Sequence, residues 1–132
     1  MRKDRLCTTI LSLVILMSFC GTAMAQMILF ASSTFKSSAV TLNSSGTATF
    51  SATATKKCNL IKVDSCTLQI KTGVSCVDAK ALTIPASATN CYSYQKTKSY
   101  GSEMASGKTY RIKAVFNADG ETVTCYSGQI NY

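Results

Sequence analysis

The sequence predicts an all-β fold, a single two-sheet sandwich of about seven short strands that follows a cleaved N-terminal signal peptide. Three observations lead there. Beyond the first 25 residues, apolar side chains recur with period two, which puts alternate side chains on opposite faces of a strand. Clusters of Asn, Ser, Asp and Gly interrupt these runs at short intervals, as a sheet protein requires. The first residues, by contrast, have the composition of an export signal.

The N-terminus decides which residues enter the fold argument. "MRKDR" is a charged leader, Leu6 to Phe19 is a mostly apolar run, and Ala23–Met24–Ala25 is a small-x-small cleavage site. A membrane span needs roughly 20 apolar residues, and this run is interrupted by Thr8, Thr9 and Ser12. Cys20 follows Phe19 rather than a small residue, which argues against lipidation. The expected organisation is therefore residues 1–25 as signal peptide and 26–132 as one β-sandwich domain, secreted and extracellular, with no transmembrane span after processing.

Alternation then places the strands in order. Strands are expected near 33–42 and 47–54, separated by "NSSG" at Asn43 to Gly46. Within the second, Ala48, Phe50, Ala52 and Ala54 share one face and threonines with Ser51 the other. A third strand near 61–71 aligns Cys66, Leu68 and Ile70, and "KTG" ends it. A fourth is expected near 77–84 and a fifth near 91–100. The sixth, near 109–117, sets Tyr110, Ile112, Ala114 and Phe116 against Arg111 and Lys113. Asp119 and Gly120 then stand between two alternating runs, the signature of a two-residue type I′ hairpin, leading into a seventh strand near 121–130. Seven short strands in a chain of this length fit two packed sheets.

"MASGKTYRIKAVF" resembles the entry to the sixth strand of fibronectin type III and immunoglobulin-like domains, with an apolar residue six positions before a tyrosine, a turn, and then alternation. Met104 stands for the usual leucine, and Tyr110 for the corner tyrosine. The resemblance implies that the Tyr110 ring fills the core edge while its hydroxyl bonds to backbone upstream. The chain departs from that pattern in having no tryptophan, with Phe50 offered on the second strand, and in having Ile112 two residues past the tyrosine. The pattern "TLQIK…ALTIPAS…SGKTYRIKAVFNADGETVTC" also looks like that of small secreted proteins of Gram-positive bacteria.

Removal of the signal leaves five cysteines, Cys58, Cys66, Cys76, Cys91 and Cys125, so at least one has no intramolecular partner. Export permits oxidation, but spacing leaves the pairing open. A bridge between Cys76 and Cys91 is weakly preferred, because the two flank the fourth strand and would close a loop of about 15 residues worth roughly 3 kcal/mol. Cys66 and Cys125, in phase with Leu68 and Val123, read as small buried apolar groups whose strands are separated by the sixth.

Function is read partly by elimination. The chain contains no histidine, and thus no Ser-His or Cys-His pair. Neither a CxxC motif nor a zinc-ligand spacing is present, so no metal or cofactor is expected. Asp119 and Glu121 are close in sequence, but a hairpin tip explains both. The expectation is a non-enzymatic module. Its mature part carries eleven Lys and Arg against five Asp and Glu, an excess that favours anionic cell-wall polymers or glycans as partners, with an extracellular protein as the other option. Nucleic acid is not expected outside the cell, and the domain is expected to be monomeric. The candidate binding strip is Tyr92, Tyr94, Lys96, Lys98 and Tyr100, alternate residues on one strand face. The plainer reading of that strip is an edge strand whose lysines block unwanted pairing. Two function classes follow, an adhesive or structural module and a small secreted effector, either toxin or inhibitor.

Overall fold

The computed structural model describes residues 33–132, so the expected signal peptide at 1–25 and cleavage before Gln26 lie outside the described residues. Seven strands make up the fold: β1 (Phe35–Leu42), β2 (Thr47–Thr72), β3 (Ser75–Ala81), β4 (Ala88–Ser99), β5 (Thr109–Ala118), β6 (Glu121–Tyr126) and β7 (Ile130–Asn131). One turn of 3-10 helix, Gly101–Glu103, follows β4. Every pairing is antiparallel, and hydrogen bonding joins all seven strands into one sheet where two are expected from the sequence.

The reason lies in β2. The expected second and third strands are one continuous strand of 26 residues. Between them, Thr55 to Leu60 contains neither Gly nor Pro, so nothing stops the extended backbone. What changes there is the partner. Thr47 to Ala54 runs between β1 and β4, whereas Ile61 to Ile70 has β5 on one side, and its end, Thr67 to Thr72, has β3 on the other. Irregularities in the register, between Thr53 and Cys58 against β4 and between Val63 and Ser65 against β5, absorb the change. The parity of the inward residues changes twice, after Cys58 and again across the irregularity after Val63. Ala48, Phe50, Ala52, Ala54 and Cys58 are buried, then Ile61 and Val63, then Cys66 and Leu68. Bulges of this kind bend a strand and increase its twist.

The bend curls the sheet over a shared core. Phe50 of β2 and Phe116 of β5 meet with ring centroids 6.4 Å apart at 63°. Tyr94 of β4 stands edge-on to Phe116, and Tyr100 edge-on to Phe50, the favoured geometry for aromatic quadrupoles. Phe35, Val40, Ile61, Ile112 and Val63 complete the interior.

Other boundaries move for local reasons. β3 ends at Ala81 rather than 84, as the chain approaches Pro85, which has no N–H to donate and disfavours a regular ladder. β4 starts at Ala88, before Cys91. The expected seventh strand is split by Ser127 to Gln129, where the Ser127 hydroxyl replaces a backbone acceptor by taking the Ile112 N–H at 2.8 Å. At the β5–β6 hairpin, Asp119 (φ 50°) and Gly120 (φ 94°) both adopt the positive φ that a type I′ turn requires.

The β1–β2 turn is organised by Asn43, whose side-chain oxygen accepts the N–H groups of Ser45 and Thr47 at 3.1 and 2.9 Å. Gly46 (φ 84°) lies so close to the 3-10 turn that an added Cβ would sit 2.7 Å from Gly101 Cα. Gly46→Ala is therefore expected to destabilise the domain by about 1–3 kcal/mol through both strain and backbone clash, read as a lower melting temperature. Ala at Gly120, where no atom is close, should cost less.

Candidate functional site

The β4 strip divides into core and surface. Register sets Tyr94 opposite Ala52, Lys96 opposite Phe50 and Lys98 opposite Ala48, all buried positions of β2, so the even-numbered residues face inward. Tyr94 and Tyr100 are each 2 % exposed. Their hydroxyls donate to Ala86 O at 2.7 Å and Thr83 O at 2.6 Å, which fastens the β3–β4 loop to the core. Tyr94 and Tyr100 are thus interior residues rather than parts of a binding face. Lys96 and Lys98 are half-buried along the open edge, and Tyr92, 59 % exposed, is the one tyrosine of the strip that meets solvent.

Tyr110 is buried, and its hydroxyl accepts the Ala105 N–H at 2.9 Å, next to the buried Met104. Asp119 reaches back from the β5–β6 hairpin to β2, where its two oxygens accept the N–H groups of Asn59 and Leu60 at 3.0 and 2.9 Å. This carboxylate satisfies the backbone of β2 just before its ladder with β5 begins at Ile61.

The five described cysteines carry no disulfide in the structure. Cys76 is set opposite Lys71, not Cys91, which removes the geometric basis for joining Cys76 to Cys91. Cys91 is instead opposite Cys58. Cys66 and Cys125 flank Ala114 on either side of β5, two strand spacings or about 9–10 Å apart, too far to join.

The outward face of β3, β2, β5 and β6 carries an ordered polar chain. Gln69 donates to Asp78 at 2.7 Å and accepts from Arg111 Nε at 2.7 Å, while the Arg111 guanidinium lies 4.6 Å from the centre of the Tyr126 ring. These are cross-strand contacts of the kind that stabilise sheets, and they fix the Arg111 guanidinium between Gln69 and Tyr126. A depression of about 420 Å³ is bordered by Thr41, Asn43, Thr49 and Gln129 and has no titratable group on its wall. No group of three His, Cys, Asp or Glu among the described residues is arranged to hold a metal ion.

The lysines are different. Every described carboxylate is engaged within the fold: Asp64 by Lys62 and Asn117, Asp78 by Gln69, Glu103 by Lys80, Asp119 by two backbone N–H groups, and Glu121 by Ser33. Among the described residues the ion pairs are Lys62–Asp64 and Lys80–Glu103, which leaves nine of eleven cations without a carboxylate partner. Three of them gather where the β2 ladder breaks. Lys36 sits in the irregular step of β1 beside Ala54, Lys56 and Lys57 fill the excursion of β2, and Tyr92 is the β4 residue across from it. All four are exposed. This cluster on three adjacent strands is the candidate site. Its sequence signal is the doublet Lys56–Lys57 in the gap between two alternating runs, and the strip reading missed it.

No protein-family profile, curated protein or solved structure matches the chain. Among the described residues no helix is long and apolar enough to cross a membrane.

Two predictions follow from these geometries. Tyr110→Phe leaves the Ala105 N–H without its acceptor and should cost about 1 kcal/mol in denaturant melts, whereas Tyr110→Ala also empties a core site and should cost about 3–5 kcal/mol. The second concerns alkali. Burial pushes the Cys66 thiol from its ordinary 9.0 up to about 11 and the Tyr94 hydroxyl from 10.0 to about 12, and raises Tyr100 and Cys125 as well. Above pH 9.0 the unfolded chain releases protons that the folded chain retains, so this stabilisation is whole below that pH and is lost as pH climbs through 11 and 12. Melting temperature under reducing conditions should fall steadily over that window, and Tyr94→Phe should flatten the upper part of the decline.

Proposed function

We propose that the chain is a secreted, non-enzymatic immunoglobulin-like module of the fibronectin type III-like kind, which binds anionic cell-wall polymers or glycans at the cell exterior. The strand partners support the fold side of this reading. One half of β2 lies between β1 and β4, and the other half has β3 on one edge and β5, followed by β6, on the other. Cut at its bend, β2 would supply the second and third strands of a sandwich, with β3 as the extra strand beside the third. Tyr110 then takes the corner position at the start of the sixth.

The observation that carries the binding reading is the imbalance of engagement. The carboxylates are used internally and most of the lysines are not, so the net positive charge faces solvent. At the ladder break, Lys36, Lys56 and Lys57 supply exposed cations, and the exposed Tyr92 ring supplies an amphipathic surface for a sugar face or polymer backbone. A repeating polyanion suits such a cluster, because weak exposed contacts gain strength when many charges are linked.

Retention on immobilised poly(glycerol phosphate) and on a uronate glycan tests the proposal. Binding should weaken as salt rises, since exposed charges are screened beyond about 10 Å at 0.1 M ionic strength. Lys56→Glu with Lys57→Glu should lower affinity at least about tenfold. Lys96→Gln with Lys98→Gln should leave it nearly unchanged. Retention that is insensitive to salt and to the first pair would overturn the proposal, as would an absence of binding to either polymer.

A further inference from the structure

The structure brings Cys58 and Cys91 together from strands β2 and β4, although 32 residues separate them in the sequence. The two are direct register partners in an antiparallel pair. Opposed residues in such a pair have Cα atoms about 4.5 or 5.5 Å apart, depending on whether they exchange hydrogen bonds, and a disulfide accepts about 4.4–6.8 Å. Either kind of pair falls inside that window. No other two cysteines among those described share a register position: Cys76 faces Lys71, and Cys66 and Cys125 stand on opposite sides of β5.

We propose that Cys58 and Cys91 form a cross-strand disulfide that ties β2 to β4 where the ladder resumes after its break. The oxidant is a disulfide of the glutathione class. Cys91, the half-buried member, is reached first. Its thiolate attacks one sulfur of oxidised glutathione and expels one glutathione thiolate. The thiolate of Cys58 then attacks Cys91 Sγ, forming the protein disulfide and releasing the second glutathione. The protein gives up two protons and two electrons, and the oxidant takes them up as two thiols.

Burial, with smaller contributions from the charges of Asp119 and Cys91, raises the Cys58 thiol above its ordinary value, while Lys56 acts the other way. The second exchange therefore quickens as pH rises, because the attacking species is the thiolate. The bridge holds the first residues of β4 against β2 beside the Lys56–Lys57 excursion, and its formation does not depend on what that excursion binds.

Peptide mapping of the full chain tests the pairing directly. Cleavage after lysine and arginine puts each of the five cysteines in its own peptide: 58–62, 63–71, 72–80, 81–96 and 114–132. After treatment with oxidised glutathione and alkylation of remaining thiols, peptide 58–62 should be recovered joined to 81–96. Recovery of 72–80 joined to 81–96, or of 58–62 in its alkylated form, would overturn the proposal. Melting under oxidising and reducing conditions gives an independent reading. The oxidised wild type should melt several degrees higher than the reduced form, and Cys58→Ser and Cys91→Ser should each abolish that difference. A difference that persists in either variant, or that is absent from the wild type, counts against the bridge.

Discussion

A strand of 26 residues has two edges along its whole length, and every buried N–H and C=O on both must find a partner. In β2 no single neighbour could meet that demand, and the molecule solves it by exchanging neighbours halfway. β1 and β4 serve the first half, and β5 and β3 the second. The exchange requires local departures from the ladder, which fall between Thr53 and Cys58 and between Val63 and Ser65. The bend these introduce brings Phe50 against Phe116 and so creates the core. Asp119 closes the gap in hydrogen bonding by supplying two acceptor oxygens to Asn59 and Leu60. The curvature, the aromatic centre and the hairpin clamp are thus consequences of one demand.

Three tyrosines give the core its connection to the loops. Tyr94, Tyr100 and Tyr110 each bury a ring and bring a hydroxyl to the rim, where it meets backbone at Ala86, Thr83 and Ala105. A phenylalanine at these places would fill the same volume and leave the loop unfastened. The arrangement lets a small domain without an α-helix among its described residues hold its longest connections in place with hydrogen bonds rather than with further strands.

Much of the strand pattern was legible in the sequence, since alternation in "TATFSATA" and "YRIKAVF" marks which residues share a face. Alternation does not say which face is inside when the candidates are mixed. In "YSYQKTKSY" the lysines share parity with two core tyrosines, because an edge strand lets a long stem lie against apolar neighbours while its ammonium reaches water. The continuity of β2 was equally invisible, as the phase changes at Ile61 and Cys66 look like strand ends when only one dimension is read. Cysteine partners depend on register, a long-range property. Cys91 meets Cys58 only after a four-residue excursion, Ala54 to Lys57, has been counted against Tyr92. The Lys36, Lys56, Lys57 and Tyr92 cluster was hidden for the same reason.

The sharing of β2 also bears on how the chain reaches this state. Its first half needs β4 and its second half needs β5, so Ile61 must find Ala88, or Ile70 find Tyr110, before either ladder can start. These closures confine about 27 and 40 residues of chain, a cost met in advance of most of the contacts that repay it. Only the turns at Asn43–Gly46, Gly73–Val74 and Asp119–Gly120 can form from neighbours alone, yielding three hairpins, β1–β2, β2–β3 and β5–β6, that are marginal by themselves. Assembly must then wait for these hairpins to collide around Phe50 and Phe116, which places the domain among the slower two-state folders, those that take milliseconds to seconds because their contacts are distant in sequence.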